Sequence, residues 1–496
     1  MAETDRITIA KPFGPSVKHP DPAQGSNGWY LTEAGVIETL FALNMDQQLM
    51  PVLAHSADQL SPLMWEITLK KNVLFHDMTP MDAQSVKSSF DRLLKPSSPV
   101  FNKQLTTLLN LASIEKNEAA QTLIFKTRTP DAGFLFKLTA PGTGISRPAG
   151  IYGHISGTGP FVLEQVDPGE GMAVSRFEAY WGKRPGLSGA DLKIIKNPST
   201  RMLAFESGQV DIAMNFPEID ALRNMNHPQH AIIQTHPTNR ICFLLVRIKD
   251  GPLKDLRIRK AVNLAINRQA LVDAVLFGVG GQPGASIFPA VLPWHHPDLI
   301  PQEYNPEKAV ILLKEAGARD TDQDGIFELN GSPLILKIWT YEGRAALKPT
   351  LELIAAQLKA VGIGTRLKIT RNASPINQSM DKGQVHLNLQ MWNAAPQGEP
   401  DDFISKVLTS NGRSNHMGFV NPELDRLAAI GRATFDMDQR KQIYNRIQEI
   451  VHEDLPLIVL FHKSIVVARG SHVKGFRLHP AEKMLLTPDL YIKAEP

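Results

Sequence analysis

Between Leu334 and Trp392 the chain switches between two periodicities, and that switch limits the architectures open to it. Leu334, Leu336 and Ile338 alternate with Ile335, Lys337 and Trp339. A spacing of two sends successive side chains to opposite faces of a strand. Leu351, Ile354, Ala355 and Leu358 then lie on one helical stripe that ends at Gly362, and Leu387, Leu389 and Met391 alternate with His386, Asn388, Gln390 and Trp392. Strand, helix and strand at these lengths predict a crossover unit. In such units ligands gather beyond the C-terminal ends of the strands. Tyr341 to Arg344, and Trp392 with the loop after it, are therefore expected beside a binding site.

The same alternation recurs elsewhere. Trp65-Glu66-Ile67-Thr68-Leu69 reads as a strand, and Asp82 to Leu94 reads as a helix after the turn Met78-Thr79-Pro80. From Asp255, a helix cap by residue type, apolar residues fall at Ile258, Ala261, Val262, Ala265 and Ile266, one stripe of a helix. A further helix runs through Leu271, Val272, Val275 and Leu276 and stops at Gly278. The expected class is α/β. A chain of 496 residues is too long for one core, so two or three domains are expected. The formal net charge is +3 and the basic residues form no block, which gives no support to nucleic-acid or membrane-surface binding. No apolar run approaches the ~18 residues a membrane span needs.

Cys242, the single cysteine, lies inside the apolar run Ile241 to Val246 and reads as a buried strand thiol. The chain opens Met1-Ala2-Glu3-Thr4-Asp5-Arg6 and runs directly into the strand-like Ile7-Thr8-Ile9-Ala10. A mature protein without its leader would open in this way, and so would a cytosolic one.

Motifs for catalysis are missing. There is no His-Glu-x-x-His helix, no Gly-x-Ser-x-Gly elbow and no phosphate loop ending in Lys-Ser/Thr. Gly278-Val279-Gly280-Gly281 follows a helix rather than a strand, so a dinucleotide reading fails on context. Asp320-Thr321-Asp322-Gln323-Asp324-Gly325 begins like a calcium loop, but the position that needs a bidentate Glu is Gly331, which favours an Asp-rich hairpin turn. His295-His296 lacks a third ligand nearby and reads as an exposed loop pair.

Several stretches in order resemble the family 5 solute-binding proteins of ABC transporters, the peptide/nickel-binding family. They are Trp65 to Asp77 followed by Thr79-Pro80; Gly157-Thr158-Gly159-Pro160-Phe161-Val162-Leu163; Tyr180-Trp181-Gly182 with Pro185, Pro198 to Arg201 and Gly208 to Ile212; Asp255 to Asn263; and Arg440 to Leu460. The resemblance implies a two-lobed periplasmic-binding-protein fold of the class II, or cluster C, type. Lobe I would be residues 1–240 with an extra subdomain at about 45–165, lobe II residues 241–470, and residues 471–496 would return to lobe I. The strands joining the lobes are expected near Arg240 to Val246 and Ile465 to Gly470. It also implies capture of a solute by closing lobes and delivery to the membrane permease of an ABC transporter, by a periplasmic protein, a monomer whose leader is absent from this sequence, with no enzymatic activity. Most motif residues, His76 among them, read as structural.

The family divides between peptides and nickel complexes. A peptide binder needs an anion for the ligand's amino group, and peptide-binding relatives place an Asp shortly after the strand ending in Trp. Here Ala394-Ala395-Pro396-Gln397 carry no charge, while Glu399 and Asp401 align with a structural turn. Asn415-His416-Met417-Gly418-Phe419, before Asn421-Pro422-Glu423, places a His where nickel-binding relatives use one from a loop. Imidazole suits Ni(II). His416 is therefore the expected metal ligand to a nickel chelate. Free histidine is the expected chelator, with no permanent cofactor. Arg147 and Arg344 are expected to pair with the chelator's carboxylates, and Trp392, Tyr30 and Trp29 to wall the pocket. For each of these a bland role stands beside the functional one: a solvated loop His, surface-paired arginines, a core Trp. Import of di- or oligopeptides is the alternative. A hydrolase on an unrelated two-domain fold is a third reading, for which no nucleophile–base pair can be assembled from spacing.

Overall fold

A computed structural model describes residues 5–148, 151–225, 231–342 and 344–493. The chain forms two compact units. The first comprises residues 1–236, 396–399 and 465–496, and the second residues 237–395 and 400–464. Among the described residues no helix is long and apolar enough to cross a membrane.

The second unit is built on a mixed sheet. Its strands run in the order Gly364–Thr370, Ile335–Tyr341, Leu387–Asn393, then the second half of Ala231–Val246, then the first half of Leu457–Gly470. The apolar run Ile241 to Val246 is the expected buried strand: Ile241, Phe243 and Leu245 enter one core, while Cys242, Leu244 and Val246 enter the other. A strand buried on both faces needs apolar residues at every position, which is what Ile241 to Val246 supplies. The Cys242 thiol is fully buried, and burial pushes its pKa up.

The predicted crossover is present with one correction. The helix Leu347–Ala360 is followed by Gly364–Thr370, which pairs parallel with Ile335–Tyr341 and forms the sheet edge. Only after the helix Ser374–Asp381 does the chain reach Leu387–Asn393, on the opposite side of Ile335–Tyr341. Leu367 and Ile369 of the edge strand stay exposed.

In the first unit, Arg6–Lys11 pairs parallel with both Gly189–Ile194 and Ile212–Met214. Antiparallel strands Gly171–Arg176 and Phe161–Asp167 extend one side, and Val467 to Arg469 closes the other. A second core in this unit gathers on a four-stranded sheet, Ala54–Ser61, Met64–Leu69, Thr122–Thr127 and Leu111–Asn117, covered by the helix Ala83–Leu94. That helix starts where the sequence says. Asp82 accepts from the Ser85 N–H at 2.7 Å while the Ser85 hydroxyl accepts from the Asp82 N–H at 2.9 Å. The reciprocal pair satisfies two orphan donors. Val86, Phe90 and Leu93 then bury one face.

The motif stretches meet for structural reasons. A Cβ on Gly157 would lie 2.0 Å from the Val36 carbonyl oxygen, and one on Gly159 would lie 2.2 Å from that of Gly35, so neither position admits a side chain. His76 is 1% exposed; its Nδ1 accepts from the Gly157 N–H at 3.3 Å and its Nε2 donates to the Gly159 carbonyl at 3.0 Å. Burial lowers its pKa to about 4, so the ring is a neutral staple. Arg201 and Arg259 are likewise spent on backbone carbonyls, Arg201 on that of Met214 and Arg259 on that of Asp454, each at 2.8 Å.

Two further expectations are settled here. His295-His296 is not an exposed loop pair. His296 is 5% exposed and bonds Glu449 at 3.3 Å, and His295 Nδ1 bonds the Phe288 carbonyl at 2.9 Å. Neighbouring Trp294, only 1% exposed, carries the pair inward as it packs on Tyr444. The Asp-rich stretch is a loop closed by an antiparallel bridge between Arg319 and Glu328, and the hairpin Glu328–Leu329 against Ser332–Pro333 follows it. The loop gathers oxygens of Asp320, Asp322, Asp324 and Glu328 within 4.8 Å, with Glu328 Oε2 accepting from the Thr321 N–H and hydroxyl.

Candidate functional site

In the second unit the helix Ser374–Asp381 organises two expected site residues. Its Asn377 accepts from Asn388 Nδ2 at 3.1 Å, Asn388 accepts from Gln390 Nε2 at 2.7 Å, and Gln390 accepts from Trp392 Nε1 at 3.1 Å. This ladder runs along one face of Leu387–Asn393, where a spacing of two stacks Asn388, Gln390 and Trp392. Asn388 and Gln390 are fully buried, and a buried amide chain of this kind fixes the indole's orientation. The Trp392 ring packs edge-on to Phe243 and Phe403, with Lys406 Nζ 5.4 Å from its centroid. Trp392 is therefore half core and half available.

The last residue of the same helix, Asp381, holds His416. Its Oδ1 lies 2.9 Å from His416 Nδ1. His416 stands in a short loop pinned from both sides. Asn415 Nδ2 donates to the Thr409 and Phe419 carbonyls, the Asn415 side chain accepts from the Phe419 N–H, and Met417 and Phe419 are buried. The imidazole between them stays 17% exposed. With Nδ1 on the carboxylate, Nε2 has no partner among the described residues. A carboxylate-oriented imidazole with a free second nitrogen is the arrangement metal-binding histidines use.

Arg344 is half-buried and begins the turn into Leu347–Ala360, its carbonyl accepting from the Leu347 N–H at 3.0 Å. The expected loop Tyr341 to Arg344 includes Gly343, which lies outside the described residues. Asp401, part of the turn read as structural, is 5% exposed and accepts from Arg432 at 3.0 Å and Ser405 at 2.7 Å, so it is committed.

In the first unit Trp29 and Tyr30 share the short helix Asn27–Glu33. Trp29 Nε1 donates to the Glu482 carbonyl at 2.9 Å, and Lys11 Nζ sits 5.3 Å from the Tyr30 centroid. Burial and nearby Glu33 raise the Tyr30 hydroxyl pKa. Lys11 and Glu33 form a buried ion pair. Arg147 lies on a different element, bridged through its backbone to Ser156. Its Nη1 donates to Thr79 Oγ1 at 2.9 Å and its guanidinium lies 5.6 Å from the Phe75 ring centroid. It has no carboxylate partner among the described residues, and its remaining N–H groups can take an anion bidentately. No hydrogen bond, ion pair or ring contact joins Arg147 to Trp29 or Tyr30 among the described residues.

The sequence reading missed Asp381, whose spacing of 35 residues from His416 leaves no local signal. It also missed Glu38, on which two family stretches converge. Glu38 accepts from Tyr180 Oη at 2.8 Å and from Trp181 Nε1 and Thr158 Oγ1 at 2.9 Å each. Burial raises its pKa to about 7 against these donors.

Comparison with known proteins agrees with this architecture. Residues 48–415 match the model of the bacterial extracellular solute-binding proteins, family 5. The probable D,D-dipeptide-binding periplasmic protein DdpA of Escherichia coli is 26% identical over 84% of this chain and 79% of its own length. The nickel-binding periplasmic protein of the same organism is 26% identical over 94% and 90%. Among solved structures, a nickel ABC transporter protein from Bacillus halodurans superimposes with a TM-score of 0.84 at 24% identity over 98% of this chain and all of that one. NikA from Brucella suis, in complex with Fe(III)-EDTA, gives 0.86 at 22% identity over 98% of this chain and all of that one. These structural likenesses show the fold. The chain, whose motifs and two α/β units carry the same pattern, belongs to the bacterial extracellular solute-binding proteins of family 5, binding proteins rather than enzymes.

Proposed function

We propose that this solute-binding protein captures a nickel chelate, with Ni(II)–histidine as the reference cargo, and delivers it from the periplasm to the membrane permease of an ABC importer. The observation that carries this reading is the Asp381–His416 pair, which leaves one imidazole nitrogen to complete the coordination of a metal already held by a small ligand. Ni(II) stands high in the divalent affinity order and accepts imidazole readily. Arg147, with no carboxylate partner among the described residues, supplies a guanidinium for a chelator carboxylate, and Arg344 is a second cation for that role. Trp392, Tyr30 and Trp29 contribute aromatic walls. The chemistry asked of the protein is modest: one imidazole, cations for carboxylates, and rings that shed water.

Peptide capture is the second reading, and dipeptide- and glutathione-binding relatives favour it. The stretch Ala394 to Gln397, where the resemblance puts a peptide binder's anchoring Asp, carries no charge. Ala394 and Ala395 are buried and apolar, and Asp401 is spent on Arg432 and Ser405.

Calorimetric titration of the emptied protein with Ni(II), alone and with L-histidine, separates the readings. Heat that requires both components supports chelate capture. No heat in either case, with di- and tripeptides giving a saturable isotherm, overturns it.

A further inference from the structure

The first unit encloses a cavity of about 120 Å³ that none of the proposed cargo residues line. Leu43, Val52, Pro160 and Leu486 supply apolar wall, and Lys483 brings an amine and Glu38 a carboxyl group to it. For scale, a dry protein cavity of ~150 Å³ accepts benzene.

The two charged groups are not in equivalent positions. Glu38 already accepts from Thr158, Tyr180 and Trp181. Lys483 is 5% exposed, and its Nζ donates only to the Thr139 carbonyl at 2.9 Å and the Thr139 hydroxyl at 3.0 Å, both neutral. No carboxylate pairs with it among the described residues, and burial lowers its pKa to about 7, so an anion placed on Nζ would restore the charge that burial disfavours. The nearby imidazole cannot complicate the charge. His479 Nδ1 accepts from the Ala481 N–H and Nε2 donates to the Leu43 carbonyl at 3.0 Å, so the ring is neutral, in accord with a pKa lowered to about 4 by burial.

We propose that this cavity binds a small aliphatic monocarboxylate of about three to five carbons, with its carboxylate on Lys483 Nζ and its alkyl chain against Leu43, Val52, Pro160 and Leu486. The third Lys483 N–H supplies the bond the ammonium still has to give. The apolar wall selects an organic anion over an inorganic one. The site shares no residue with the proposed nickel site, so it stands or falls independently of the cargo.

Butyrate is the probe, followed by saturation-transfer NMR and calorimetry on the full chain, with butyramide as the neutral isostere. The expected result is saturable butyrate binding, at least tenfold weaker binding of butyramide, and at least a tenfold loss of butyrate affinity in Lys483→Met. Ala42→Leu, which fills the cavity and leaves the ammonium in place, is expected to abolish binding, and it keeps the test open if Lys483→Met fails to fold. Absence of butyrate binding at millimolar concentration, equal binding of butyramide, unchanged affinity in a folded Lys483→Met or Ala42→Leu protein, or displacement of butyrate by Ni(II)–histidine overturns the proposal.

Discussion

Replacing Glu38 by Gln gives a stability change whose sign and size follow from the structure. The carboxyl group is buried among three donors, and its pKa rises from 4.5 to about 7, desolvation outweighing the hydrogen bonds from Trp181, Tyr180 and Thr158. A raised pKa means that the folded protein holds this proton to a higher pH than the unfolded chain does. Stability from this group is therefore fully present below 4.5 and is lost as pH rises through about 7. The interval between those two values corresponds to about 3 kcal/mol at ~1.4 kcal/mol per pH unit. Gln removes the titration while its Oε1 can still accept from Trp181, and the Tyr180 hydroxyl can rotate to meet the new amide. Urea unfolding of both proteins between about pH 4.5 and 8 measures the effect, read as the difference between wild type and variant at each pH. The expected difference shifts toward the variant by about 3 kcal/mol across that range. A difference that stays flat, or that shifts toward the wild type, shows that Glu38 is not held protonated by its surroundings and refutes the burial argument.

Other consequences are open to equally direct measurement. Asp381→Asn keeps a polar partner for His416 but removes the carboxylate that orients it, so Ni(II)–histidine affinity by calorimetry is expected to fall about 10- to 100-fold while the unfolding midpoint moves little, the pair being half-exposed. Trp392→Ala removes the edge-on contacts with Phe243 and Phe403 and the bond to Gln390, and is expected to cost about 2–4 kcal/mol in denaturant unfolding. A loss well below ~1 kcal/mol would show the ring to be a cargo wall only. Gly157→Ala forces a methyl group to within 2.0 Å of the Val36 carbonyl oxygen, and is expected to abolish soluble expression or shift the melting temperature sharply down, whereas Gly153→Ala meets open space and bears only the strain of its φ of +72°, a cost of about 1–2 kcal/mol.

The sequence announces the parts of the fold that depend on local rules. The helix from Asp82, the cap at Asp255 with the stripe Ile258, Ala261, Val262, Ala265 and Ile266, and the buried run Ile241 to Val246 all follow from residue type and spacing. The edge strand Gly364–Thr370 was passed over although Leu367 and Ile369 alternate with Arg366 and Lys368. An edge strand buries little, so its composition reads as surface. His295-His296 was misread because its burial depends on Trp294 docking on Tyr444, some 150 residues on in the sequence. Site chemistry is the least legible part. His416 stands out by residue type, but its Asp381 partner, the Asn377–Asn388–Gln390–Trp392 ladder and the meeting of Thr158, Tyr180 and Trp181 on Glu38 are made by tertiary contacts that no window of sequence contains. Family motifs fill part of that gap, because stretches that recur in order are stretches that must meet, and here they meet to fix a frame around His76 and Glu38.

Elemental analysis combined with native mass spectrometry of freshly purified protein, from cells supplied with nickel and histidine, tests cargo capture most directly. Stoichiometric nickel, carried with a mass matching histidine and lost in His416→Ala, is the predicted result. Protein that retains peptide and no metal, or a folded His416→Ala variant that keeps its nickel in full, contradicts it.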